Sequence, residues 1–402
     1  MTNRRVAWGI ILLGSFLSLV LTARIALQDL TVGSRAGNWI YPYVRSFGYR
    51  SIGGWGYRSV EVSLIATIVS GLLLAVPDHL FRRREWLMVM AWLLVGLGVQ
   101  AFMRTMLAPY ALSSVFASDR SNSFYSVTLH YDASAVVSDF QRLRASWPGH
   151  AQSNMPGKII LIYALEVMSK RPVVLAWLVV VLSNLGGVFM YLFVRDWFAD
   201  PSVALSSLVL YLFVPAKLFF FPILNTVTPA FVFLCALLLV RWLRDNRLVY
   251  ASFLGVALYA LAFFEPTALA IGLLFAAIAI QALMRTTIAP QVIIRQGVIA
   301  VALFVATYLL MRGLLGFDLF RAFRDVAADA VAFNRNAARP YWTWVHQDPL
   351  DFFFGVGFCQ TIVFWAMLAM SIHQALARGE RPASAIAAVG LGLTTTLLAI
   401  DL

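Results

Sequence analysis

The chain has 402 residues, of which 61% are hydrophobic and 12% charged, with a net charge of +12. Soluble domains carry about 25% charged residues, so this composition excludes a water-covered globule, and a mean hydropathy of +0.80 identifies lipid as the solvent. The cations sit mainly in loops beside apolar runs, which suits cytoplasmic Lys/Arg bias and lipid phosphates, and argues against a nucleic-acid surface.

In hydrocarbon every backbone polar group must be satisfied within its own segment, so the spans must be helices. The sequence predicts an all-α polytopic membrane protein with about eleven transmembrane helices. They lie near 6–23, 59–77, 87–107, 173–194, 203–214, 229–240, 248–264, 267–283, 298–315, 353–372 and 384–400. The opening "MTNRR" with Val6–Ala23 has the look of a signal peptide, but with so many later spans an uncleaved first anchor is expected. Residues 1–86 form an N-terminal two-helix membrane segment, and 87–402 form the transmembrane core. Cys235 and Cys359 both fall in apolar stretches, so no disulfide framework is implied.

The segment 158–168, "KIILIYALEVM", reaches only about 16 Å as a helix, half a bilayer. Charge decides its status. If it does not span and the N-terminus is cytoplasmic, the inside loops hold thirteen cations in about 55 residues, including the basic runs "RWLRDNR" and "ARGERP". If it spans, those runs move outside, against the positive-inside rule. It is therefore predicted to be a half-inserted or juxtamembrane helix. The long loops 24–58, 108–172 and 316–352 then all face the non-cytoplasmic side.

Two stretches in these loops are amphipathic. In "ASAVVSDFQRLRAS", Val136, Phe140 and Leu143 share a face; in "DLFRAFRDVAADAVAF", Leu319, Phe323, Val326 and Ala330 form a stripe. Each suits a helix lying in the membrane interface or one packed on the end of the bundle.

Asp119 lies in "SDRSNSFY", about twelve residues after a span, with Asn122 and Tyr125 close behind. Alone, such an acid is a helix cap or a solvated loop residue. Downstream, "WPGHAQSNMPGK" brings His150, Asn154, Pro156, Gly157 and Lys158 just before the short helix. Lys217 sits in the outer turn "VPAKLFFFPILN", either as a cation for an anion or as a snorkelling side chain. Glu265 in "FFEPTAL" is a hairpin acid or a paired one. Arg335, Arg339 and His346 fall in or beside a Trp-rich outer stretch, and Arg104 ends a span; His150 and His346 also suit plain surface positions. No His/Asp/Glu spacing reads as a strong metal site. No motif requires a cofactor, although a divalent metal is left open. "GYRSIGGWGYRS" (Gly48–Ser59) suggests no chemistry.

The order of these features resembles the GT-C glycosyltransferases, which include protein O-mannosyltransferases and lipid A aminoarabinose transferases. The likeness rests on the outward helix before Asp119, Tyr125 six residues later, the amphipathic helix and the His/Pro/Gly approach to a short helix. It continues in the aromatic–Arg run "FMYLFVRDWF", the Val214–Pro215 turn and "RPYWTWVHQDPLDFFFGVG". It covers about residues 87–402; the first two spans depart from the family's usual start. The resemblance implies a sugar donor on a polyprenyl-phosphate carrier, an acceptor glycan, lipid or protein, and inverting transfer on the non-cytoplasmic face. The setting is then a cell envelope, with a bacterial inner membrane expected.

By position, Asp119 matches the acid of the first large outer loop. An acceptor hydroxyl is a poor nucleophile, and a carboxylate within hydrogen-bond reach can take its proton. Inversion needs one such base, not the paired carboxylates of a hydrolase. Asn122, Tyr125, His150, Asn154 and Glu265 would position groups, while Lys217, Arg339, Arg335, Arg104 or His346 would face the leaving phosphate. The ending "TTTLLAIDL" departs from relatives that continue, as a compact variant or a fragment would. A transporter or lipid flippase is the rival reading, and a structural membrane protein the third. Transporters place charge near the midplane on broken helices, whereas the spans here have mostly clean centres.

Overall fold

The computed structural model describes residues 84–102, 111–214, 216–217, 222–284, 288–336 and 356–377, with short pieces at 32–34 and 39–41 and scattered single positions elsewhere. It is helical apart from one antiparallel pair, β1 (Val32–Ser34) and β2 (Trp39–Tyr41), with Val32 opposite Tyr41. Most of the expected spans at 6–23 and 384–400, and all of 59–77, lie outside the described residues.

Among the described residues, five stretches are long and apolar enough to cross a membrane: α1 (Glu85–Phe102), α8 (Pro172–Phe198), Leu224–Asp245 with α10 (Thr228–Asp245), Pro266–Met284 with α12 (Gly272–Met284), and α13 (Pro290–Leu315). Two shorter apolar helices, α9 (Pro201–Leu212) and α11 (Leu248–Phe264), lie among them. A further helix, α15 (Phe358–Ala377), overlaps the predicted 353–372 span.

Local chemistry sets the breaks. Pro172, Pro201 and Pro290 open α8, α9 and α13, where a missing N–H costs nothing. Asp200 caps α9 by accepting the N–H groups of Ser202 and Val203. Asn246 and Gly316 end α10 and α13 in the left-handed conformation. Helices α8 and α10 run through the middle: 44% and 50% of their apolar windows are buried, against 6% for α13, which packs along α11 on one side and is otherwise exposed.

The two ends of the bundle differ. At the basic end, Arg195 of α8 pairs with Glu85 of α1, which also accepts the Tyr191 hydroxyl. Asp196 accepts from Arg241 (2.8 Å) and Arg244 (2.6 Å) of α10, and Gln296 of α13 donates to Asn246. At the loop end, seven short elements form a lid: α2 (Leu112–Phe116), α3 (Asp119–Thr128), α4 (Ala133–Ser138), α5 (Phe140–Leu143), the 3-10 turn Arg144–Ser146, α6 (Gly149–Gln152) and α7 (Gly157–Glu166). Phe116, Phe124, Phe140, Trp147, Ile159 and Ile162 are buried there with Leu175 and Val179 of α8 and Phe264 of α11, as one core.

The segment expected to be half-inserted is α7, ten residues or about 15 Å, half of a hydrocarbon slab. Gly157 lets it touch α11: a Cβ there would meet the Phe263 carbonyl and stand 2.7 Å from Phe264 Cα. Gly157→Ala should lift α7 from α11 and cost about 1–3 kcal/mol, read as a lowered thermal midpoint in detergent. An unchanged midpoint would mean that α7 is free to shift.

Expected at the membrane interface or on the end of the bundle, "ASAVVSDFQRLRAS" takes the second place, and only its form as one unbroken helix is corrected. It breaks at Asp139 into α4, α5 and the 3-10 turn. Val136 and Phe140 pack inward, with Phe140 against Trp147 and Phe317, so this stretch lies on the bundle and not on lipid. The stripe over "DLFRAFRDVAADAVAF" is also corrected. In α14 (Leu319–Asn336), Leu319, Ala322 and Val326 are buried, while Phe323 and Ala330 are exposed. The two outer loops meet: Arg144 pairs with Asp329 at 2.5 Å.

Candidate functional site

Asp119 was expected in a loop; it opens helix α3 and its side chain is exposed. The helix folds back at Asn122, whose backbone is non-helical (φ −150°, ψ 55°). Seven residues of straight helix would separate the two side chains by about 10 Å. The fold-back instead lets the Asp119 carboxylate accept the Ser126 hydroxyl. The Ser126 carbonyl in turn meets His130 Nδ1 at 2.8 Å. The sequence masked this helix because "DRSNS" has no apolar period.

Asn122 and Tyr125 sit inside the lid, not on its surface. Asn122 is 1% exposed and donates through Nδ2 to the Phe116 carbonyl at 2.8 Å, while its Oδ1 has no hydrogen-bond partner among the described residues. That bond holds the fold-back. Tyr125 is 7% exposed and tilts on Phe116, with ring centroids 5.1 Å apart. Burial, then the Glu166 charge, push its phenol above the ordinary value, so it stays protonated. Both pack on Phe116 inside the turn that carries Asp119.

The next turn links Asp119 to the other candidates. Gly149, with φ +42°, lies where a Cβ would stand 3.4 Å from the Asp119 carbonyl oxygen. Beside it, Ser123 Oγ accepts the Ala151 N–H at 2.8 Å, fixing α6 to α3. His150 is exposed, and its carbonyl accepts Asn154 Nδ2 at 2.8 Å. Asn154 Oδ1 then accepts from Lys158 Nζ at 2.7 Å. Lys158 is 1% exposed and pairs with Glu265 at 2.5 Å. Its ammonium lies 5.5 Å from the Phe124 ring centroid and 5.9 Å from that of Phe264. Thr267 donates to the second oxygen of Glu265 at 3.0 Å. Burial lowers the Lys158 pKa, and Glu265 opposes that shift.

The His150 carbonyl, Asn154, Lys158 and Glu265 are thus joined by one run of contacts, while Asp119 stands on the neighbouring helix that Ser123 ties to Ala151. Lys158 was given no role from sequence. The available signal was a cation four residues after Asn154 on an otherwise apolar short helix, where an unpaired charge is costly.

Lys217 lies elsewhere. It is 5% exposed, donates to the Ser183 carbonyl of α8 at 2.8 Å, and sits 4.0 Å from the Tyr211 ring centroid. Ser183 is eleven residues into α8, about 16 Å from that helix's start. The neighbouring Asn184 exchanges two hydrogen bonds with Gln100 of α1, at 3.1 and 2.9 Å. No acidic partner of Lys217 is found among the described residues. Arg335 is exposed; Arg104, Arg339 and His346 lie outside the described residues. No group of three or more His, Cys, Asp or Glu side chains suited to a metal occurs among the described residues.

No family model matches the chain, and no curated protein or solved structure matches it.

Proposed function

We propose that the chain is a multi-pass membrane glycosyltransferase with about eleven spans, moving a sugar from a polyprenyl-phosphate carrier to a glycan, lipid or protein acceptor. The reading follows the GT-C resemblance. The observation that carries it is the exposed Asp119 carboxylate on a lid over an apolar bundle, on a helix that Ser123 and Ala151 tie to α6, in the same lid whose α7 carries Lys158 to Glu265 at the end of α11. In this reading Asp119 takes the proton of the acceptor hydroxyl as its oxygen attacks the anomeric carbon. The bond from that carbon to the carrier's phosphate oxygen breaks, the lipid phosphate leaves with the electron pair, and the configuration inverts. Ser126 orients the carboxylate. The test is transfer of label from radiolabelled polyprenyl-phosphate hexoses or pentoses to a second product by the purified protein. Label that stays on every carrier offered would overturn the reading.

A second reading, a transporter or lipid flippase, draws on one observation. Lys217, Gln100 and Asn184 form a polar layer inside apolar helices, where such groups are costly unless used. Movement of a fluorescent polyprenyl-phosphate lipid across proteoliposome membranes, without transfer chemistry, would favour it.

The lid is assigned to the non-cytoplasmic face and the basic end to the cytoplasm. With Cys235 and Cys359 replaced by Ala, a cysteine at the exposed position 142 should react with an impermeant thiol reagent outside intact cells, and one at 244 only after permeabilisation. Labelling of 244 from outside would reverse the assignment.

A further inference from the structure

Helix α14 divides into three faces when its residues are placed at 100° intervals. One face is spent on the protein: Leu319, Ala322 and Val326 are buried and Asp329 pairs with Arg144. A second face is apolar and uncovered: Phe320, Phe323 and Val331 are 60%, 46% and 61% exposed. The third, adjoining it, carries Arg321, Arg324 and Arg335, all exposed. Asp325 lies 3.3 Å from Arg324 and 4.0 Å from Arg321, so these two cations share one acid.

The place of α14 says what covers the apolar strip. Helix α13 exposes Leu309, Leu310 and Leu314 to lipid, and its Tyr308 ring packs edge-on against Phe320 at 5.1 Å. Gly316 ends α13 in the left-handed conformation, and Asp318 accepts the Arg321 N–H at 3.1 Å as α14 begins. The exposed apolar surface of α13 thus meets α14 at Phe320, beside the Arg312–Asp318 pair at the turn. An apolar strip at the end of a spanning helix, flanked by arginines, matches the boundary between acyl chains and phosphates. Arginine's planar fork suits the phosphate oxygens.

We propose that α14 is a binding surface for anionic phospholipid headgroups, with Phe320, Phe323 and Val331 among the acyl chains and Arg321, Arg324 and Arg335 on the phosphates. This is independent of the glycosyl-transfer reading. The consequence is that the lid's outer helix is seated by membrane charge as well as by the Arg144–Asp329 pair.

The test uses the full chain in nanodiscs, with Cys235 and Cys359 replaced by Ala and a bimane fluorophore on Phe323→Cys. Brominated phosphatidylglycerol, as a minor fraction of a phosphatidylcholine bilayer, should quench it roughly two-fold or more beyond the same fraction of brominated phosphatidylcholine. Adding Arg321→Gln, Arg324→Gln and Arg335→Gln should make the two lipids quench equally while leaving quenching itself in place. Absence of quenching by either lipid would mean that the strip faces water or protein. Equal quenching before the arginines are changed would mean that no charge is read. Either result overturns the proposal.

Discussion

Asp119→Asn is expected to lose about 10²–10⁴-fold in turnover, the usual contribution of a positioned general base, with its thermal midpoint nearly unchanged. The fold reason is specific. Asp119 is exposed and its described contact is the Ser126 hydroxyl, which an amide oxygen can still accept. The lock on the fold-back is Asn122 with the Phe116 carbonyl, and the tie to α6 is Ser123 with Ala151. Neither uses the Asp119 side chain. Asn122→Ala should behave differently. It removes a buried hydrogen bond and a side chain inside the lid, so its midpoint should fall by the equivalent of about 1–3 kcal/mol together with turnover. A helix-start acid with no chemical role predicts the opposite for Asp119→Asn: normal turnover and a stability shift of up to about 1 kcal/mol. Turnover and thermal midpoint measured on one preparation separate these outcomes.

Glu265→Ala is expected to be the most damaging single change to stability. It leaves the Lys158 ammonium, 1% exposed and set between two aromatic rings, with only the Asn154 amide. Removing one partner of a buried pair costs about 3–5 kcal/mol, chiefly for the stranded charge. The double replacement Lys158→Met with Glu265→Gln removes the charge at both ends and should recover most of that loss. Thermal midpoints of the three proteins test the pair directly. A double variant no better than Glu265→Ala would mean that Glu265 acts through Thr267 and the turn at 265–267, and not through Lys158.

Much of the bundle could be read from the chain because lipid imposes a simple rule: a helix must be long and apolar. That rule located α1, α8, α10 and α12 closely and α13 at its C-terminal end, although α13 begins at Pro290 and not at the expected 298, and arithmetic alone showed α7 to be too short to span. The lid was harder. Helix α3 carries no apolar period over "DRSNS", so its helical state depends on contacts with α2 and α6 that lie outside its own sequence. The Lys158–Glu265 pair joins residues 107 apart, and nothing local announces it. The amphipathic stretch 319–336 shows the limit most clearly. Its apolar arc is wide, and periodicity cannot say which half meets protein and which half meets lipid; only the position of Arg144 and the α13 surface decides.

The contrast between the two ends of the bundle has a mechanical consequence. At the basic end, α1, α8 and α10 are tied by arginines whose side chains are 40%, 32% and 49% exposed, so dissolved salt weakens these ties. At the other end α8 and α10 run up to a buried aromatic cap, which screening of charge does not loosen. The bundle is therefore built like a fan, stiff at its rivet and compliant along its open edge. Rising ionic strength is expected to spread the blades at the basic edge while the buried cap keeps its packing.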